Sequence, residues 1–360
     1  MLDFYKGKKV LITGHTGFKG SWMCKVLVSC GADVYGYALE PSGTPNLFDL
    51  CGLRDEVHSV IGDVRDLNYL KKVFAEVQPE IVIHMAAQPL VRESYKNPVY
   101  TYDVNVMGTV NVLECIRLTT SVRSFVNVTT DKVYLNREWS WGYRENEELN
   151  GYDPYSNSKS CSELVTSSYY NSFFRESDIA ISTMRAGNVI GGGDYAADRI
   201  IPDCVRSALS GQEIIVRNPY SVRPYQHVLE PVFAYLMVAK AQYNDRSFAG
   251  NYNIGPDDCD CRTTGELVDL FCNTWNRMKE CKNNDLLRWL NRYDGGPHEA
   301  AFLKLDCSKI KSVFGWCPVW RLETAVEKVV EWNLENITQN DIVRCMDRQI
   351  QEFVAQSTWL

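Results

Sequence analysis

Short apolar, β-branched runs recur along the first half of the chain, and a helix-length stretch of mixed pattern follows most of them. Lys9-Val10-Leu11-Ile12, Asp33-Val34-Tyr35-Gly36-Tyr37, Val57 to Ile61, Glu80-Ile81-Val82-Ile83-His84 and Phe125-Val126-Asn127-Val128 read as strands. Runs this short and continuous fit strands covered on both faces. Between them, residues 21–31, 67–77 and 99–118 carry helical spacing. The repeated βα rhythm predicts an α/β fold with a parallel, doubly wound sheet. After Asn188 the pattern breaks into Val189-Ile190-Gly191-Gly192-Gly193-Asp194, which reads as a flexible stretch; residues 228–255 read as a helix and strand returning to that sheet, 263–278 as a further helix, and the tail beyond 320 as part of a smaller C-terminal, substrate-binding domain. The expected division is 1–188 plus about 228–255 for the sheet domain, with 189–227 and 256–360 for the second.

The first strand runs into Thr13-Gly14-His15-Thr16-Gly17-Phe18-Lys19-Gly20, and a helical pattern opens at the last glycine. Glycine allows the tight turn and the close backbone approach, and a helix N-terminus offers free N–H groups to an anion. The spacing is GxxGxxG, a variant of the usual fingerprint, but the strand before it and the helix and strand after it supply the context of a dinucleotide-binding (Rossmann) fold. The ribose carboxylate expected near the end of the second strand falls on Ala38, with Glu40 two places late. No Arg or Lys stands there for a 2′-phosphate, so the expectation is NAD with a weakened ribose grip. Asp63 is placed to receive the adenine amino group. Ala86 and Ala87 are small enough for a cofactor to approach, or simply for tight packing. Asn105, polar inside an apolar helical pattern, reads as a buried hydrogen-bonder.

Thr129-Thr130-Asp131-Lys132 crowd the carboxyl end of the Phe125–Val128 strand, where open α/β sheets place ligands. Downstream, Pro154 opens a helix that sets Tyr155 and Lys159 one turn apart on one face. A tyrosine ionises near pH 10 in water, and a neighbouring ammonium is expected to bring that down towards working range. YxxxK alone is weak, because chance produces it often; the Thr and the glycine loop give it meaning.

Composition narrows the field. A net charge of −7 offers no footprint for nucleic acid. No apolar run is long enough to span a membrane, and MLDFYKGKKVLITG lacks the apolar stretch of a signal peptide. Thirteen cysteines without a CxxC fit reduced thiols in the cytoplasm, and Cys259 and Cys261 have the wrong spacing for zinc, so no metal is expected.

Gly14-x-x-Gly17-x-x-Gly20, Asp63, His84-Met85-Ala86-Ala87, Asn105, Thr130 and Tyr155-x-x-x-Lys159 together resemble the extended short-chain dehydrogenase/reductase superfamily over roughly the first 190 residues. Thr-Asp after the strand is similar to the nucleotide-sugar 4,6-dehydratases, whose usual triad is Thr-Asp-Glu. Thr130-Asp131-Lys132, HTGFKGSW at 15–22, YALEP at 37–41, AAQPLVRESY at 86–95, GNVIGGGD at 187–194, RPYQHVLEP at 223–231 and HEAAFLKLD at 298–306 resemble the CDP-glucose 4,6-dehydratase branch, over nearly the whole chain.

The resemblance implies NAD contacts at Gly14, His15, Thr16, Gly17, Phe18, Lys19, Asp63, Val64, Ala86, Ala87, Gln88, Asn105, Tyr155 and Lys159. For CDP-glucose it implies Gln88, Asn188, Arg199, Arg223, Gln226 and His298, with Arg199 and Arg223 on the diphosphate. Arg206, Arg217, His227 and Arg292 are further candidates in the second half. The implied reaction is an internal redox dehydration that feeds deoxysugar assembly for O-antigen lipopolysaccharide. Tyr155 with Lys159 takes the C4 hydroxyl proton, Thr130 positions the oxygen, and Asp131 protonates the departing C6 hydroxyl. Lys132 is the C5 base if it is neutral, or merely orients Asp131. Helices 99–118 and 160–174 are expected to pair two subunits into a homodimer or a dimer of dimers. Three other readings stay open: another nucleotide-sugar 4,6-dehydratase, a 4-epimerase, to which Asp131-Lys132 is superfluous, and a non-catalytic NAD-sensing protein on the same fold.

Overall fold

The computed structural model describes every residue except 283–284, 294, 297–299 and 339–340. Strands β1 (Lys9–Thr13), β2 (Asp33–Ala38), β3 (His58–Ile61), β4 (Ile81–His84), β5 (Ser124–Val128), β6 (Ala180–Ala186) and β7 (Asn251–Ile254) form one sheet in the order β7-β6-β5-β4-β1-β2-β3. Every neighbouring pair is parallel. The order reverses between β1 and β4, and at such a switch point the strands' carboxyl ends open a crevice.

The strands read as solid apolar runs because both faces are covered. Val10 and Ile12 of β1, Ile81 and Ile83 of β4, and Val126 and Val128 of β5 enter one core with Trp22, Leu229, Phe233 and Leu236. Leu11, Val82 and Phe125, one residue out of phase, enter a second core with Leu70, Phe74, Leu113 and Ile116. The period of two is present in space and masked in the sequence.

Helix α1 (Phe18–Ser29) leaves the glycine loop, α2 (Leu67–Val77) connects β3 to β4, and the expected 99–118 helix begins at Pro98. It is α3 (Pro98–Tyr102), a wide π turn over Asp103–Met107, and α4 (Gly108–Arg117). The π turn contains Asn105, and such local widening is frequent at functional sites. Helix α5 (Pro154–Tyr169) starts where the sequence indicates: Asp153 Oδ1 accepts from Ser156 N at 2.9 Å and Pro154 occupies the first turn.

Beyond β6, α6 (Ile200–Ser210), α7 (Leu229–Asn244), α8 (Thr264–Met278), α9 (Leu322–Ile337) and α10 (Ile342–Gln356) follow, with three two-stranded ribbons. A third apolar cluster gathers Ile201, Val205, Leu267, Phe271, Trp275, Val326 and Val330 from α6, α8 and α9. Helix α9 ties it to the sheet, because Trp332 on the same helix belongs to the first core. No helix among the described residues is long and apolar enough to cross a membrane.

The stretch Val189–Asp194, expected to be flexible, is instead packed tightly. Val189–Ile190 pairs with Gln226–His227. A Cβ on Gly192 would lie 2.0 Å from Trp332, and one on Gly193, at φ +82°, would lie 2.5 Å from Leu47. The glycines serve close approach here, with no looseness implied.

Candidate active site

Two clefts open at the carboxyl edge of the sheet. The first, of about 510 Å³, runs from Ala38, Leu39, Asp63 and Val64 past the glycine loop to Ala86, Ala87, Tyr155 and Lys159. The second, of about 290 Å³, is lined by Thr130, Asp131, Lys132, Gly187, Asn188, Arg199, Arg217 and Arg223. They meet at Tyr155, which lines both along with Phe18, Lys19, Asp194 and Arg199.

The first cleft fits a dinucleotide. The N-terminus of α1, capped at Gly17, has no side chain on its free N–H groups, and Gly14, Thr16, Gly17 and Phe18 face the space beside it. A Cβ on Gly14, at φ +78°, would fall 2.7 Å from Ala86 N, and one on Gly20 would fall 2.2 Å from Gly14 O. The glycines are therefore required by packing on β4's loop as well as by the turn. Asp63 lies just past the end of β3 rather than on it, and Arg65 holds its carboxylate below the usual range. At the ribose end Glu40 is paired with Arg54 at 3.1 Å.

At the junction, Thr130 stands beside Tyr155. Burial pushes the tyrosine hydroxyl up to about 12, with the neighbouring Thr130 hydroxyl opposing the rise. Lys159 Nζ donates to Val128 O at 3.1 Å, and burial, then the nearby Lys19 charge, lowers it to about 7. The expected fall in the tyrosine's pKa is thus absent among the chain's own groups. Desolvation dominates both groups and leaves the lysine half-charged near neutrality.

That lysine gives a pH signature. Its folded pKa lies below the unfolded value of about 10.4, so the unfolded chain binds more protons in between, and stability rises with pH across that window. Lys159→Met removes the burden. Near pH 6 the variant should melt about 3 °C or more above wild type, and the gap should shrink towards pH 9. Equal gaps at both pH values, read by calorimetry, contradict the burial argument.

Asp131 is 1% exposed. Its Oδ1 accepts from Thr130 Oγ1 at 2.9 Å, while Oδ2 is buried without a hydrogen-bond partner. Gly187 makes room for it, since a Cβ there would sit 2.3 Å from Oδ2. Lys132 lines the second cleft one residue further on. Beneath the loop, Glu163 and Arg185 form a fully buried pair at 2.9 Å, to which Thr129, Thr183 and Tyr134 add hydrogen bonds. A buried arginine within an apolar strand is the signal for this support: it demands a buried carboxylate.

Several expected ligands are turned away from both clefts. His15 packs on Gly36, with Nε2 2.7 Å from Ser59 Oγ, and burial lowers it to about 4. The Gln88 side chain folds back onto Leu90 and Thr101. Asn105, buried as expected, accepts from Gln88 N at 2.8 Å and donates to Ser158 Oγ at 2.8 Å, tying the 86–88 loop to α5 without reaching the cleft. Gln226 donates to the Gly187 and Ile254 carbonyls behind the Asn188 loop. Gln88, Asn105 and Gln226 are each held by nearby backbone groups and His15 by a serine hydroxyl, as buried polar groups require. His227 is enclosed by Trp22 and Trp320. Arg223 lines the second cleft with its guanidinium on the Val222 and Ala300 carbonyls. Arg206 pairs with Asp203, and Arg292 lines neither cleft. His298 lies outside the described residues. The sequence reading missed Asp194, which is 5% exposed and bound to Arg199 at 3.0 Å.

Comparison with known proteins follows this geometry. The family model described as GDP-mannose 4,6 dehydratase matches residues 11–329. CDP-glucose 4,6-dehydratase of Salmonella typhimurium is 47% identical over 362 residues, covering 99% of both chains. dTDP-glucose 4,6-dehydratase of Haemophilus influenzae is 26% identical over 91% of this chain and 98% of its own. Among solved structures, dTDP-glucose 4,6-dehydratase from Bacillus anthracis in complex with NAD superposes with a TM-score of 0.75 at 22% identity, over 94% of this chain and 100% of its own. UDP-glucose 4-epimerase from Thermotoga maritima with UDP-glucose gives 0.78 at 21%, over 91% and 99%. These two structures share the fold.

Proposed function

The chain belongs to the GDP-mannose 4,6 dehydratase family, and from that premise we propose that it is an NAD-dependent hydro-lyase converting CDP-glucose to CDP-4-keto-6-deoxyglucose. One observation carries the reading: Tyr155 stands where the two clefts meet, with Asp131 and Lys132 on the sugar side and Lys159 on the dinucleotide side. An epimerase needs Tyr155 and Lys159 and has no use for Asp131 and Lys132. The relative that is 47% identical supports cytosine as the base.

NAD held by the glycine loop and the N-terminus of α1 would supply a hydride acceptor at the sugar's C4 and a hydride donor at C6. The chain's own residues move the protons. Tyr155 takes the C4 hydroxyl proton, with Thr130 beside it and Lys159 supplying charge one turn along the helix. The resulting ketone acidifies C5–H. Lys132 removes that proton and returns one to C5 as hydride reaches C6, while Asp131, buried and with one oxygen unpartnered, protonates the departing C6 hydroxyl so that it leaves as water. In Lys132→Ala, exchange of the C5 hydrogen with solvent should fall about a hundredfold; exchange at the wild-type rate assigns the base elsewhere. Offered CDP-, UDP-, dTDP- and GDP-glucose with NAD, the protein should release water fastest from the CDP sugar. Equal or greater loss from another nucleotide overturns the base assignment.

Residues 189–227 and 256–360 are proposed to hold the nucleotide sugar. The thirteen cysteines, none in a disulfide, support a reducing, cytoplasmic setting. A homodimer is proposed through α3–α4 and α5, supported by Val99, Met107, Leu118, Leu164 and Phe173, which are large apolar residues exposed on these elements and the turn after α5. Leu164→Arg should halve the mass seen in light scattering; an unchanged dimer places the interface on another face.

A further inference from the structure

Lys19 sits in the glycine loop's helix, yet its surroundings belong to the second cleft. It lines both clefts, and the charges it feels are Arg199, Asp131 and Asp194, while its own charge reaches Lys159. Among the described residues its ammonium donates no hydrogen bond and makes no ion pair. Of the two nearby carboxylates, Asp194 accepts from Arg199 at 3.0 Å and from Ala196 N at 3.1 Å, and Asp131 accepts from Thr130 through Oδ1 while Oδ2 is unpartnered. Lys19 and Arg199 are thus neighbouring cations, and the carboxylate that pairs with Arg199 makes no ion pair with Lys19. Burial and the Arg199 charge both work against its proton, lowering it to about 8, so an anion placed between the two would relieve a repulsion built into the fold.

Which anion belongs there follows from the elements. The N–H groups at the start of α1 already present a site for the dinucleotide's pyrophosphate. The Lys19 side chain continues from that turn to the boundary with the substrate cleft, next to Arg199. We propose that Lys19 and Arg199 together clamp the diphosphate of the nucleotide sugar, making Lys19 a substrate ligand although it is borne by the dinucleotide loop. The inference rests on the nucleotide-sugar reading of the second cleft, not on the identity of the base.

The test is calorimetric binding of CDP and, separately, of NAD to the full-length protein and its variants Lys19→Met, Lys19→Gln and Lys19→Arg. Loss of one charge-assisted contact should weaken CDP about tenfold or more in the Met and Gln variants, with Arg restoring most of it and NAD affinity held within about threefold. In Lys19→Met/Arg199→Met the losses should be less than multiplicative, because both cations grip one diphosphate. Weakened NAD with unaltered CDP returns Lys19 to the cofactor and overturns the proposal, as do equal losses of both ligands or strictly multiplicative losses. If wild type prefers UDP or dTDP to CDP, the reading of the base fails and the same comparisons made with that nucleotide judge Lys19. If no nucleoside diphosphate binds wild type, both fail.

Discussion

Tyr155→Phe should lower kcat by about a thousandfold while the affinities for CDP and NAD change by less than about threefold. The hydroxyl stands beside Thr130 on a residue that lines both clefts. Phenylalanine keeps the ring's packing at the start of α5 and deletes the proton acceptor alone. The split matters because burial holds the hydroxyl near 12, so this tyrosine works only if its partners compensate in the reacting complex. Thr130→Val should therefore mimic part of the loss. Retained kcat in Tyr155→Phe, measured under saturating sugar and cofactor, contradicts the assignment. A loss confined to KM would do the same, since it would mark the hydroxyl as a binding group.

Asp131→Asn should lower the rate of water loss about a hundred- to a thousandfold and leave the first oxidation intact. Asparagine has the shape to fill the space beside Gly187 and to keep the Thr130 contact, so the fold is preserved while the transferable proton is removed. The expected signature is a sugar that reduces the cofactor and exchanges its C5 hydrogen with solvent but keeps its C6 oxygen. Near-ultraviolet absorbance of reduced nicotinamide, followed with nuclear magnetic resonance of the sugar, reads both. If C5 exchange disappears together with elimination, Asp131 is the base and Lys132 is its orienter. The two lysine and aspartate variants thus divide one elimination into its halves.

The sheet was legible because each βα unit announces itself by an apolar run and a following helical pattern, and the motif positions Gly14, Thr130, Tyr155 and Lys159 follow from it. Side-chain direction was not legible. His15 stands inside the glycine motif, but Gly36 leaves a hole on the opposite side of β2 that the imidazole fills. Gln88 and Gln226 are long amides near strand ends: the first is consumed by its own loop at Leu90, the second by the carbonyls of Gly187 and of Ile254 at the end of β7. Such choices are made by local backbone hydrogen-bond needs that no spacing encodes. Gly191-Gly192-Gly193 misled in a different way: a glycine run reads as loose, whereas Trp332, some 140 positions later by sequence number, is the reason there is no room for a Cβ. Lys19 shows the same limit. Its place in the sequence assigns it to the dinucleotide, and only the tertiary neighbours Arg199 and Asp131 reveal the other cleft.

The most direct test of the account follows one atom. CDP-glucose carrying deuterium at C4 should be converted, with catalytic NAD, to a product lighter by one water that retains the label at C6. That outcome requires oxidation, elimination and return of the same hydride at one site. Water loss with the label released to solvent or to free cofactor, or label retained at C4 with inverted configuration and no water lost, would contradict it.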